Sequence, residues 1–162
     1  MKVSAQEEYG LRCLLQVASA PVGEPVVTLT EISRREGLSV PHVAKLMSAL
    51  RNGGLVESVR GRSGGYSLAR PADQISVLDV LSALGERLFD SEYCERYTGS
   101  DDSECVHASG CAIRSVWSRV EAIASDVLRR TTLAELLRLE EAVLSRSLDD
   151  RQKLSVLHIE PR

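Results

Sequence analysis

The sequence predicts a mainly α-helical chain that carries one small β-hairpin, and three observations predict it. Aromatic residues make up only 4% of the 162 positions while hydrophobic residues reach 43%. The core must therefore be built from Leu, Val, Ala and Ile, a composition suited to packed helices. Helix-capping signals recur ahead of apolar runs at helical spacing, at Thr28, Ser39, Ser76 and Thr132. One place breaks the pattern: two β-prone segments, 55–59 and 66–68, flank the turn Arg60-Gly61-Arg62-Ser63-Gly64-Gly65. A chain of this length can bury one good core with an appended element.

In chain order, residues 3–18 read as a first helix. Tyr9, Leu11, Leu14, Leu15 and Val17 form its apolar face, and Gln6, Glu7, Glu8 and Arg12 its polar one. Cys13 lies among the apolar residues and reads as a small core side chain. Pro21-Val22-Gly23-Glu24-Pro25 is a loop. Thr28-Leu29-Thr30-Glu31 fits a capping box and opens a short helix that Gly37 ends. Ser39 caps the next helix, with Pro41 in its first turn, where a missing N–H costs nothing. Val43, Leu46, Met47 and Leu50 recur on one face, and Gly53-Gly54 ends the run. After the hairpin, Ser76-Val77-Leu78-Asp79 opens a helix to about Leu84.

Two helices separated by a tight turn, followed at once by a basic hairpin, make a winged helix-turn-helix, a plan for holding double-stranded DNA. Residues 39–51 are the recognition helix. Ser39, Val40, His42, Lys45 and Ser48 face the major groove, with Thr28 and Arg51 as further contacts. Arg60, Arg62 and Ser63 lie at the hairpin tip, where the arginines reach a phosphate or a narrow minor groove. The net charge of −3 looks unfavourable, but its distribution is not. Between Arg34 and Arg70 seven basic residues face only two acids, Glu36 and Glu57. The bland alternative is a solvated basic helix beside a surface hairpin.

Residues 85–110 have no clear period and are rich in Asp, Glu, Ser and Gly; a stretch this long without structure of its own is usually functional. It holds Cys94, Cys105 and Cys111 in a C-x10-C-x5-C spacing. Thiolates suit zinc or an iron–sulfur cluster, and the wide spacing leans away from a structural zinc. A closed site needs a fourth ligand. His107 is too near Cys105 for easy chelation of one ion, while Glu92, Glu95, Glu104 and, from a second subunit, Glu8 are alternatives. Cys13 is a weaker one. From Ala112 to about Leu128 an apolar stripe follows, comprising Ile113, Val116, Trp117, Val120, Ile123, Ala124, Val127 and Leu128. Nothing else in the chain is large enough to cover it, so a symmetric homodimer is expected, with packing against the first helix as the alternative. Thr132-Leu133-Ala134-Glu135 caps a last helix, and 149–162 reads as a tail. The organisation is thus 1–84 for DNA, 85–111 for the cysteines, 112–148 for dimerisation and the tail.

The opening MKVSAQEEYGLRCLL, the stretch GGLVESVRGRSGGYSLARP, the Ser76-Val77-Leu78-Asp79-Val80 helix, the cysteine loop and Thr132-Leu133-Ala134-Glu135-Leu136 together resemble the IscR/NsrR/RsrR-type regulators over about residues 1–138. These are bacterial winged-helix transcription factors, homodimeric and often holding an iron–sulfur cluster. The resemblance implies that Cys94, Cys105 and Cys111 are cluster cysteines. An IscR-like member has a histidine three residues after the last cysteine, where this chain has Arg114. The NsrR- and RsrR-like pattern takes a carboxylate from the first helix of the other subunit, which falls on Glu8. The further RsrR-like histidine position is Arg12 here. The first cysteine gap is also longer than in IscR-like members. A 2Fe–2S cluster is favoured over 4Fe–4S.

The expected function is a cytoplasmic, homodimeric, non-enzymatic DNA-binding regulator. Its operator binding is switched by an iron–sulfur cluster sensing redox state, nitric oxide or iron–sulfur status. No apolar run of about 18 residues argues for a membrane span, and the first residues lack a signal-peptide stretch. One alternative keeps the fold but is cluster-free, controlled by thiols or by a partner protein. Another, of a different class, is a redox or metal-carrier protein, for which the chain offers no CxxC pair and no nucleotide loop.

Overall fold

A computed structural model describes residues 4–20, 26–59, 61, 64–85 and 110–156, with the backbone alone at 144 and 146–156. Among these residues run α1 (Ala5–Ala18), α2 (Leu29–Glu36), α3 (Val40–Asn52), β1 (Val56–Val59), β2 (Gly65–Leu68), α4 (Val77–Leu84), α5 (Ala112–Arg130) and α6 (Leu133–Val156). A single 3-10 turn, Ala72–Gln74, precedes α4.

Spacing and burial agree closely in the first half. On α3, Val43, Leu46, Met47 and Leu50 are all buried, and they meet Leu14 of α1, Ile32 of α2, Leu55, and Val80 and Leu84 of α4 in one core. Gly37 ends α2 in the left-handed conformation at φ 66°, where a side chain would be strained. The strands pair antiparallel with Val56 opposite Leu68 and Val59 opposite Gly65. Val27 adds a further backbone rung that the sequence did not announce. Its N–H and C=O exchange hydrogen bonds of 2.9 Å with Tyr66. A Cβ on Gly65 would lie 2.7 Å from the Val27 oxygen, so glycine is required for that approach.

Several expectations change. Glu7 is not on a solvated polar face: it is 6% exposed. Its carboxylate accepts from the Ser4 N–H at 2.7 Å while the Ser4 hydroxyl accepts from the Glu7 N–H, a full capping box that starts α1 at Ala5. Tyr9, expected in the apolar face, is 36% exposed, because the core-facing stripe is centred on Gly10, Cys13, Leu14 and Val17. Thr28 caps α2 by accepting from the Glu31 N–H at 3.1 Å, but the return half is missing because the Glu31 carboxylate takes Arg34 and Arg35 instead. Ser39 has the extended N-cap backbone without a side-chain cap bond. Ser76 and Asp79 do form the complete box expected of them.

The N-terminal part of α1 packs on the C-terminal end of α4. Gln6 donates its side-chain amide to the Leu84 carbonyl, a Cβ on Gly10 would collide with Leu84, and one on Gly85 would lie 2.6 Å from Glu7 Oε1.

α5 rests on α4 through its C-terminal half, where Ala124 and Leu128 are half-buried. Residues 112–120 are all exposed, and no residue of α5 is fully buried. The joint between α5 and α6 is pinned to the winged domain. The Thr131 carbonyl accepts from the Val77 N–H at 2.9 Å, the Leu133 N–H donates to the Ile75 carbonyl at 3.0 Å, and the Leu133 side chain is wholly buried. α6 continues to Val156, past Asp149, where the sequence reads as a tail. Arg151, Gln152, Lys153 and Leu154 favour helix, and no Gly or Pro interrupts them.

Candidate nucleic-acid interface and metal ligands

The helix-turn-helix presents one polar surface. Thr28 at the start of α2 and Ser39, Val40, His42 and Lys45 at the start of α3 are exposed, and Ser48 is half-buried. Val40 is 41% exposed, an apolar side chain left open at the N-terminal end of α3. At about 100° per residue, Lys45 points outward, His42 lies at the border with α1, and Arg51 falls half a turn around from His42. His42 meets Tyr9 of α1 edge to face, with ring centroids 5.9 Å apart and planes at 83°. Tyr9 had no functional part in the sequence reading, and no spacing rule would have joined two aromatic rings 33 positions apart.

The basic segment is less uniformly free than its composition suggests. Arg34 and Arg35 both donate to the Glu31 carboxylate, at 2.9 and 2.8 Å, and hold it below the usual carboxylate range. Arg70, at the exit of the wing, donates to Asp79 at 3.0 Å. Lys45 and Arg51 make no ion pair among the described residues. Arg60, Arg62 and Ser63 lie outside the described residues.

Of the expected metal ligands, Cys94 and Cys105 also lie outside the described residues, as do Glu92, Glu95, Glu104 and His107. Cys111 is half-buried at the N-cap of α5, and its sulfur accepts from the Arg114 N–H at 3.4 Å. Glu8 is exposed on α1 and pairs with Arg12 one turn later at 2.7 Å. This surface pair is worth little, so the carboxylate is readily given up to another partner. Cys13 is 0% exposed, and burial pushes its thiol up to about 11, which suits a core side chain and not a ligand. Among the described residues no three His, Cys, Asp or Glu side chains come together as a metal site. No helix among them is long and apolar enough to cross a membrane.

A family profile described as "Rrf2: Iron-dependent Transcriptional regulator" matches residues 3–139. The chain is 33% identical to the HTH-type transcriptional regulator IscR of Vibrio campbellii over 156 residues, covering 96% of this chain and 87% of that one. It is 36% identical to the IscR of Sodalis glossinidius over 141 residues, covering 87% and 81%. Among solved structures, IscR from T. potens superposes with a TM-score of 0.68 at 35% identity, over 88% of this chain and 90% of that one. CymR of B. subtilis, a global cysteine regulator, superposes with a TM-score of 0.67 at 31% identity, over 84% and 95%. These relatives are named regulators, which sets aside the redox or carrier enzyme. The chain belongs to the Rrf2 family of helix-turn-helix transcriptional regulators and binds DNA as one of them.

Proposed function

We propose that the protein is a homodimeric regulator whose grip on its operator is set by an iron–sulfur cluster. The ligands are Cys94, Cys105, Cys111 and Glu8 of the partner subunit, and 2Fe–2S is favoured over 4Fe–4S. One observation carries this reading. Cys111 stands at the N-cap of α5, the helix whose apolar stripe is left uncovered, so the ligand end and the dimer face belong to one rigid element. When bound, the cluster supplies a centre that oxidation, nitrosylation or loss can alter. Glu8 would reach it by leaving the Arg12 guanidinium, and Cys111 would offer a sulfur that accepts from the Arg114 N–H.

The chain's own residues carry the change onward. The Thr131–Leu133 joint ties α5 to the start of α4, which packs against α1 and α3. A tilt of α5 therefore resets the separation of the two recognition helices, biasing a two-state DNA-binding form. Thr28, Ser39, Val40, His42 and Lys45 meet the groove, Arg51 adds a contact at the far end of the helix, and Arg60, Arg62 and Ser63 hold the flanking backbone. Affinity should fall steeply with salt.

Anaerobic purification with visible absorption, iron and sulfide analysis, and duplex titration in both cluster states tests this. A colourless, iron-free protein after anaerobic reconstitution would sink the cluster, and Glu8→Ala with an unchanged spectrum would remove Glu8 from the ligand set. A second reading keeps the fold and drops the cluster, with control by thiols or a partner protein. The likeness to a global cysteine regulator supports it. Full operator binding and regulation after replacing all three loop cysteines, with no cluster in the parent protein, would favour it.

A further inference from the structure

We infer that Tyr9 is a positioning residue for base reading: its ring holds His42 at one orientation on the recognition helix, so that sequence preference depends on α1. The inference rests on the reading of α3 as the recognition helix and names a residue outside it. Three observations combine. The Tyr9 and His42 rings meet edge to face, 5.9 Å between centroids and 83° between planes, a favoured aromatic geometry. Both residues are exposed, although an aromatic ring is the kind of side chain a protein so poor in them would be expected to bury. His42 is also the exposed residue of α3 that borders α1, so its ring would otherwise exchange between χ1 rotamers at the edge of the groove surface.

The place of Tyr9 on α1 gives the contact a further consequence. Glu7, two positions before it, packs against Gly85, and Gln6 donates to the Leu84 carbonyl, so this turn of α1 is fixed to the end of α4. Tyr9 thus projects from a fixed platform. An imidazole held from one side presents one edge to a base pair. Released, it samples several rotamers and discriminates less, because immobilising it then opposes binding. Tyr9 need not touch DNA to do this.

The test uses the full-length dimer and a duplex enriched from a random pool by the wild-type protein. His42→Ala identifies the base pair that His42 reads, as the position where preference relaxes by about 5- to 100-fold. Tyr9→Leu, with Tyr9→Gln as a second variant should the first fold poorly, is expected to relax preference at that same base pair by at least about 3-fold. Binding to unrelated duplex should stay unchanged at matched salt. Tyr9→Phe keeps the ring and should restore the wild-type preference. The double variant Tyr9→Leu/His42→Ala should discriminate no worse than His42→Ala alone, since the two act as one unit. A Tyr9→Leu protein that weakens all duplexes equally, or keeps full preference, overturns the role of Tyr9 alone. A His42→Ala protein with unchanged preference at every position overturns the assignment of His42 as a reader, and the role of Tyr9 with it.

Discussion

The winged domain and α5 are made from the same few aliphatic residues and use them in opposite ways. In the winged domain Leu14, Ile32, Val43, Met47 and Leu50 are each 0% exposed, closed in by four helices and the hairpin. On α5, Ile113 is 69%, Val116 56%, Ile123 68% and Val127 58% exposed, although their spacing is as regular as that on α3. Periodicity alone therefore says that a face exists and says nothing of what covers it. The difference lies in reach: α3 is bracketed within a few residues by elements that fold back on it, whereas α5 meets α4 only through its C-terminal half. A row of apolar side chains left in water in this way is the surface on which a second copy gains most.

The largest effect that would break this contrast is expected from charges on the open face. Val116→Glu with Ile123→Glu should convert a dimer to a monomer, read by light scattering, and lower affinity for a two-half-site duplex by at least about 100-fold. Each buried aliphatic side chain is worth about 1.5–3 kcal/mol, and each new carboxylate would have to be desolvated. The melting of the winged domain itself should shift little, because neither side chain enters its core. A double variant that remains dimeric would show that the stripe on α5 is not the dimer face.

What the sequence made legible follows the same division. Local rules were sufficient where the partner is a neighbour in the chain: Ser76 with Asp79, Gly37 at the end of α2, and the buried face of α3. They failed where the partner is distant. Glu7 looks like one more acid in a polar face, but its burial depends on Gly85, 78 positions later, and on Ser4, whose cap was missed despite the Ser-x-x-Glu signal. Val27 becomes a strand residue only because Tyr66 pairs with it. Ser39 has the composition of a cap without the bond. For the site, composition and spacing singled out α3 as the reading helix and grouped three cysteines, and the i,i+4 rule is enough to pair Glu8 with Arg12, but no sequence rule joins Tyr9 to His42.

The two described cysteines sharpen the contrast between closed core and open helix. Burial raises Cys13 from 9.0 to about 11, which cuts the thiolate present at pH 8 by about 100-fold before any steric protection. In cluster-free protein, iodoacetamide at pH 8 should label Cys111 at least about 100-fold faster than Cys13, as read by peptide mass spectrometry. The same shift has a stability consequence. An unfolded Cys13 loses its proton near 9.0, while the folded one keeps it to about 11. The stabilisation is therefore complete below pH 9 and is lost as the pH rises toward 11. Cys13→Ala should flatten that part of the pH profile in urea unfolding; comparable labelling of both cysteines would mean that the core opens easily.

The smallest effect compares the two caps of the helix-turn-helix. Thr28 accepts a hydrogen bond from the Glu31 N–H, so Thr28→Ala should cost about 1 kcal/mol in urea unfolding. Ser39 has the same extended backbone but no such bond, so Ser39→Ala should cost less than about 0.5 kcal/mol. Its hydroxyl, exposed at the N-terminal end of α3, is then left for a phosphate or a base edge. The substitution should weaken duplex binding more than it weakens the fold. Equal stability losses at the two sites would mean that Ser39 caps α3 in solution, and its hydroxyl would be no freer to meet DNA than that of Thr28.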